Sequence, residues 1–230
     1  KITLQQLLEM RSGLSWVEDY VDGDASDVIE MLFGSGKSDI ASYAIAQPPA
    51  AAPGAEWVYS SGTTNIVTRL LGNALGDAHG SHANTERFIR TRLLDAIGMQ
   101  AVPKFDLAGT FVGSSYVFAT ARDFAKFGLL YLHDGVCNGV RILPEGWVDH
   151  ARKRHVFDEE TGLGYGAHWW TLPGERNSLV AAGYEGQYIM VIPDRDLVVV
   201  RLGKTISALR NVVVAELREV IEQFPVIGER

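Results

Sequence analysis

Apolar residues recur every three or four positions through the first two thirds of the chain, the spacing of helices that bury one face. Leu4, Leu7 and Leu8 follow Thr3, a residue that caps helix starts, and predict a short helix to Met10 stopped by Gly13. Val28, Ile29, Met31 and Leu32 predict a second over Ser26–Phe33, and a third runs from Ser38 to Ala46 and ends before Pro48-Pro49. Ile66, Val67, Leu70 and Leu71 stripe a helix from Thr63 to about Leu75, and Asn84 to Ile97 carries the next, ended by Gly98. Thr120-Ala-Arg-Asp123 has the form of a capping box with Asp in the acidic slot, and it opens a helix through Leu132. Pro144 suits the first position of a further helix that reaches Arg152.

The last third changes period. Tyr165–Thr171, Gln187–Ile192 and Leu197–Leu202 are rich in Val, Ile, Tyr and Trp and predict strands, the last two joined by a tight turn at Pro193-Asp-Arg-Asp196. A helix over Ser207–Gln223 closes the pattern. Helices, then an antiparallel hairpin, then a terminal helix make an α+β order rather than alternating βαβ units. No internal repeat or low-complexity linker interrupts residues 1–230, which read as one domain.

Composition narrows the function classes. Lys and Arg number 21 against 28 Asp and Glu, a net charge of −7, so neither nucleic acid nor an anionic membrane is attracted electrostatically. Cys137 alone rules out an internal disulfide framework and a cysteine-based zinc site. No apolar run approaches the roughly 18 residues that span a bilayer. The chain begins Lys1-Ile2-Thr3 without an initiator Met or a signal-peptide pattern, and the expectation is that it starts inside a longer product.

Two motifs look chemical but fail on context. Gly34-Ser-Gly36-Lys-Ser38 resembles the end of a phosphate-binding loop, yet Met31 stands where the first glycine belongs and the preceding segment reads as helix, not strand. His79 and His82 lie in a polar loop, while His150 and His155 flank a basic run, so no metal site is expected. The Gly-x-Ser-x-Gly elbow of α/β-hydrolases is absent.

Three segments carry more. Trp57-Val-Tyr59-Ser-Ser61-Gly62 opens a helix, where the positive end of the dipole favours a tyrosinate and hence a general base; an aromatic wedge is the alternative. Ala181-Ala-Gly183-Tyr184-Glu-Gly186-Gln187 lies directly before the strand hairpin, with glycines read as the start of a strand that a ligand approaches closely and an edge N–H that suits an oxyanion; a simple turn is the alternative. Gly164-Tyr-Gly-Ala-His168-Trp169-Trp170 is an aromatic strand that either lines a pocket or packs the core.

In this order the segments resemble the serine β-lactamase and penicillin-recognising family, most of all its class C and esterase-like branch, which includes 6-aminohexanoate-dimer hydrolases. Ile2-Thr-Leu…Leu7-Leu8…Ser12-Gly13-Leu14, Thr120-Ala-Arg-Asp123…Phe127-Gly128, Arg141-Ile-Leu-Pro144…Trp147 and Ile192-Pro-Asp194 all resemble that family's segments, over nearly the whole chain. The resemblance implies an α+β, β-lactamase/transpeptidase-like fold with an antiparallel sheet and helices, here without the family's N-terminal part. It implies Tyr59 as general base and the Tyr184 backbone N–H as an oxyanion donor, with Ser61, Trp169, Trp170, Gly183 and Gly186 at the substrate, and no cofactor.

The departures matter as much. Ser61 stands where many members have Asn, and Ala181-Ala182 replace the Lys-Thr of the Lys-Thr-Gly element, which weakens a true β-lactamase reading. No serine has Lys three residues on, so the family's Ser-x-x-Lys nucleophile is expected upstream of Lys1. The resulting expectation is an acyl-enzyme serine hydrolase acting on a small ester, amide or β-lactam. This portion alone would be inactive, and it would associate with a complementary N-terminal fragment or with its own copies. A non-catalytic binding module on the same fold is the alternative.

Overall fold

The computed structural model describes residues 1–20 and 26–227. Contacts divide the chain into two compact units, Lys1–Leu94 with Ala101–Phe118, and Asp95–Gln100 with Ala119–Arg230.

The first unit is helical. Helices α1 (Leu4–Leu8), α2 (Asp27–Phe33), α3 (Ile40–Ile45), α4 (Ser61–Ala74) and α5 (Ala83–Ile89) follow in order. Each of the first four starts where a side chain accepts a backbone N–H of the first turn: Thr3, Ser26, Asp39 and Ser60. Thr3 and Gln6 complete a reciprocal capping box. Helix α4 runs through the middle, packed by α1, α2 and α3. Its Ile66 joins Leu7, Trp16, Val28, Met31, Ile40 and Ala44 in one buried cluster. Two boundaries differ from the hydrophobic pattern. Helix α4 begins two residues before Thr63, because Ser60 is the cap. The predicted helix over residues 84–97 leaves α-geometry at Arg90 for a wider π-turn that ends at Leu94. Gly34–Ser38 terminates α2, with the Ser35 N–H donating to the Glu30 carboxylate.

A short ribbon of β1 (Ala101–Pro103) with β2 (Val117–Ala119) falls almost wholly in the first unit, while β3 (Val136–Cys137) with β4 (Val140–Arg141), α6 (Ala121–Leu132) and α7 (Trp147–Arg152) belong to the second. The second unit is organised by six strands: β5 (Val156–Asp158), β6 (Leu163–Tyr165), β7 (Trp170–Thr171), β8 (Leu179–Gly183), β9 (Gln187–Ile192) and β10 (Leu197–Arg201). They form one antiparallel meander in chain order, with α8 (Arg210–Glu222) after it. The fold is therefore α+β. Residues 188–192 of β9 are buried on both faces, which explains their unbroken apolar run. Leu179 pairs with Val191, and both pack with Tyr131 of α6, Val148 and Ala151 of α7, and Trp169. Gly128 lets α6 lie close, since a Cβ there would stand 2.6 Å from a Val198 methyl.

Three readings of this region need correction. The predicted strand Tyr165–Thr171 is two strands, because His168 takes a left-handed conformation (φ 58°) that turns the chain between β6 and β7. Gly183 ends a strand of its own rather than starting one: the alanines before it lack the branched residues that mark strands, yet Leu179–Gly183 pairs along β9. Helix α7 starts at Trp147, not Pro144, because Gly146 is left-handed (φ 75°).

The start of α6 supplies a titratable cap. Asp123 is buried and accepts from Thr120 Oγ1 at 2.6 Å, from the Gln100 N–H at 3.0 Å and from Lys126 Nζ at 2.9 Å. The Thr120 hydroxyl foremost, then the Gln100 amide and Lys126, hold its carboxyl down to about 2. A depressed folded-state pKa stabilises the fold above the ordinary carboxylate value and loses that contribution as pH falls towards 2. Asp123→Asn should therefore lower the urea midpoint at pH 7, with the gap to wild type narrowing steadily below pH 4; a gap that stays constant down to pH 2.5 would contradict the assignment.

Candidate active site

The residues singled out from the sequence fall into two groups, one in each unit. In the first unit, Tyr59 immediately precedes Ser60, the N-cap of α4, whose hydroxyl accepts the Thr63 N–H at 2.9 Å. Tyr59 is half-buried, and the chain reaches it by an extended segment anchored through the Val58 N–H to the Met10 carbonyl at 2.9 Å. Ser61 is buried, with 4% of its surface exposed. Its N–H donates to Glu18 Oε2 at 2.9 Å, and its hydroxyl donates to Glu18 Oε1.

Glu18 is the residue that sequence reasoning missed. Besides Ser61 it accepts from the Trp16 indole N–H at 2.5 Å and from the Tyr20 hydroxyl at 2.7 Å, so both oxygens are doubly occupied. A carboxylate at the first turn of a helix is favourably placed against the dipole. Burial pushes the Tyr20 phenol well above its usual range, and the Glu18 carboxylate adds to the effect, so Tyr20 acts as a donor. The alternation Trp16-x-Glu18-x-Tyr20 was the available signal: in extended chain it sets three polar-tipped side chains on one side.

In the second unit, Gly183 is the last residue of β8 and pairs with Gln187, the first of β9. Tyr184, Glu185 and Gly186 form the tip of that hairpin. Glu185 (φ 57°) and Gly186 (φ 84°) are both left-handed, a three-residue loop with glycine at the second such position. The Gly186 N–H closes the turn onto the Gly183 carbonyl at 3.3 Å, and Tyr184 is half exposed. Trp169 and Trp170 lie in the core. Trp169 packs at 4.5 Å from Tyr131 and stacks on Phe127 at 6.0 Å, while Trp170 meets Tyr165 edge-on at 4.8 Å. The structure thus brings Tyr59 and Ser61 together at one helix start, and Gly183, Tyr184 and Gly186 together at one hairpin tip.

Among the described residues no three His, Cys, Asp or Glu side chains are grouped to hold a metal ion, and no helix is long and apolar enough to cross a membrane.

The family profile of β-lactamase matches residues 1–205. This chain belongs to the β-lactamase family. The 6-aminohexanoate-dimer hydrolase of Paenarthrobacter ureafaciens is 26% identical over 228 residues, which cover 86% of this chain and 53% of that protein. Among solved structures, a putative 6-aminohexanoate-dimer hydrolase from Bacillus anthracis superposes with a TM-score of 0.74 at 22% identity, covering 98% of this chain and 63% of its own. The octameric penicillin-binding protein homologue from Pyrococcus abyssi gives 0.67 at 16% identity, over 97% of this chain and 56% of its own. The β-lactamase/transpeptidase-like fold and membership of this serine-hydrolase family follow. The chain spans about half the length of the curated relative it matches.

The start of α4 also tolerates little growth in side-chain size: a Cβ on Gly62 would stand 2.5 Å from the Trp16 ring. Removing the Glu18 carboxylate leaves the Ser61 and Trp16 donors without their acceptor. Glu18→Ala should cost about 2 kcal/mol in urea unfolding, whereas a change under about 0.5 kcal/mol would show that water replaces the carboxylate.

Proposed function

We propose that this chain is the portion of an acyl-enzyme serine hydrolase that carries the general base and one oxyanion donor, acting on a small ester, amide or β-lactam. The observation that carries the reading is the place of Tyr59, immediately before the cap of α4, in a chain of this family. Tyr59 takes the proton of a serine supplied by a Ser-x-x-Lys segment outside these 230 residues and later activates water for deacylation. The Tyr184 N–H, at the end of the strand that closes with Gly183, stabilises the tetrahedral oxyanion, and Gly183 and Gly186 keep that edge free of side chains. Ser61 holds the helix start beneath Tyr59 through Glu18. Trp169 and Trp170 keep β7 in place from the core. Two facts support the missing nucleophile: no serine here has Lys three residues on, and the chain covers 53% of its curated relative.

The chemistry then divides between chains of different length. The longer product should hydrolyse p-nitrophenyl acetate, and Tyr59→Phe should lower its rate by about 10²- to 10⁴-fold. The isolated 230 residues should be inactive beyond the residual contribution of binding and oxyanion contacts. Robust turnover by the isolated chain would overturn the upstream nucleophile, and full activity in Tyr59→Phe would overturn the base. Absence of a Ser-x-x-Lys and of any fluorophosphonate adduct in the longer product would select a non-catalytic binding module instead.

Association is the second consequence. Among the described residues β10 and β5 are the two outer strands of the meander, and an uncovered strand edge invites pairing. The Pyrococcus abyssi homologue is octameric. Sedimentation of the isolated chain should find oligomers, or a complex with an N-terminal fragment; a monodisperse monomer would refute this.

A further inference from the structure

The hairpin tip at Tyr184–Gly186 is held from outside its own turn. Arg201, the last residue of β10, donates Nη1 to the Gly186 carbonyl at 2.6 Å and Nη2 to Thr205 Oγ1 at 2.8 Å. The Thr205 N–H in turn donates to the Glu185 carbonyl at 3.0 Å. Beside it, the Gln187 side chain forms a two-way clamp on Gly203, accepting the Gly203 N–H at 3.0 Å and donating to the Gly203 carbonyl. The Glu185 and Gly186 carbonyls and the Gln187 side chain are thus all tied to residues 201–205.

The two glycines make room for the guanidinium. A Cβ on Gly186 would stand 2.7 Å from Arg201 Nη1, and one on Gly203 would stand 2.8 Å from the same atom. The planar group lies between two backbones that carry no side chain. Among the described residues it faces carbonyl and hydroxyl oxygens, with no carboxylate in an ion pair. A guanidinium suits this place because its fork bridges two acceptors in one plane, which an ammonium cannot do. Glu185, left-handed without being glycine, is a conformation that needs such support.

We infer that Arg201, assisted by Gln187, is a positioning residue that sets the Tyr184–Gly186 tip and so the direction of the Tyr184 N–H. This rests on the reading of Tyr184 as an oxyanion donor. A donor contributes to the rate only when it is aimed at the place where charge develops, and that contribution is lost when the loop wanders by a fraction of an ångström. The loss falls on the transition state rather than on ground-state binding, so it reads in kcat.

Two measurements test this separately. In the 230-residue chain, amide exchange of Gly203 and Thr205, whose acceptors lie on the tip side of the clasp, should accelerate at least tenfold in Arg201→Gln; unchanged exchange overturns the clasp whatever the enzyme does. In the longer product, Arg201→Gln and Gln187→Ala should lower kcat for p-nitrophenyl acetate by about 10- to 100-fold with KM within threefold and the melting temperature within a few degrees. Arg201→Lys should stay closer to Arg201→Gln than to wild type. Unchanged kcat, or kcat recovered fully by Lys, overturns the positioning role. A wild-type longer product that turns over nothing while the exchange result holds would overturn the hydrolase reading and leave the clasp standing.

Discussion

A helix that begins inside a packed unit must find acceptors for N–H groups that its own turns cannot satisfy, and the start of α4 depends on solving that problem. Ser60 accepts one such group and Glu18, 43 residues away in sequence, accepts another. Because Glu18 also takes the Ser61 hydroxyl, the Trp16 indole and the Tyr20 phenol, one carboxylate ties an extended N-terminal segment to the helix that Tyr59 introduces. The same junction excludes bulk, since the Trp16 ring closes over Gly62. The chain that carries Tyr59 into α4 is thus placed by capping, because Ser60, directly after it, is where the helix must start.

The second unit solves a different problem. Its meander has little sequence length between strands, so each turn must reverse the chain within a few residues, and left-handed residues accumulate at the reversals: His168, Glu185, Gly186 and Asp196. Strand β9 lies next to the outer strand β10 and is apolar and buried from Tyr188 to Ile192, so its hydrophobic pattern alone does not choose a register. The short turns on either side of it, at Tyr184–Gly186 and Pro193–Asp196, set the pairing. Turn geometry and register together place Tyr184 at the end of the sheet. The clasp from Arg201 and Gln187 then holds a tip that the two pairing strands alone would leave to fluctuate.

Helix starts were legible because capping is local: Thr3, Ser26 and Thr120 each meet a partner three residues on, and the pattern of Asp, Ser and Thr before apolar stripes carries the signal. The α+β order and the order of family-like segments were legible for the same reason. The strands were less so. Leu179–Gly183 contains two alanines and a glycine and becomes a strand because β9 offers it partners, and the aromatic run through Trp170 breaks at His168, a residue with no turn preference strong enough to be noticed. Trp169 and Trp170 could line a pocket or pack a core on composition alone; burial against Tyr131, Phe127 and Tyr165 depended on the register of neighbouring strands.

The kind of fold, the helix starts at Thr3, Ser26 and Thr120 and the residue types at Tyr59 and at the Gly183–Gly186 turn were in the sequence, because periodicity and capping act over a few residues. Only the tertiary structure decided that Glu18 joins Ser61 and that Arg201 joins Gly186. Those pairs lie 43 and 15 residues apart, and no local propensity records which buried donor will meet which acceptor once a core has closed around them.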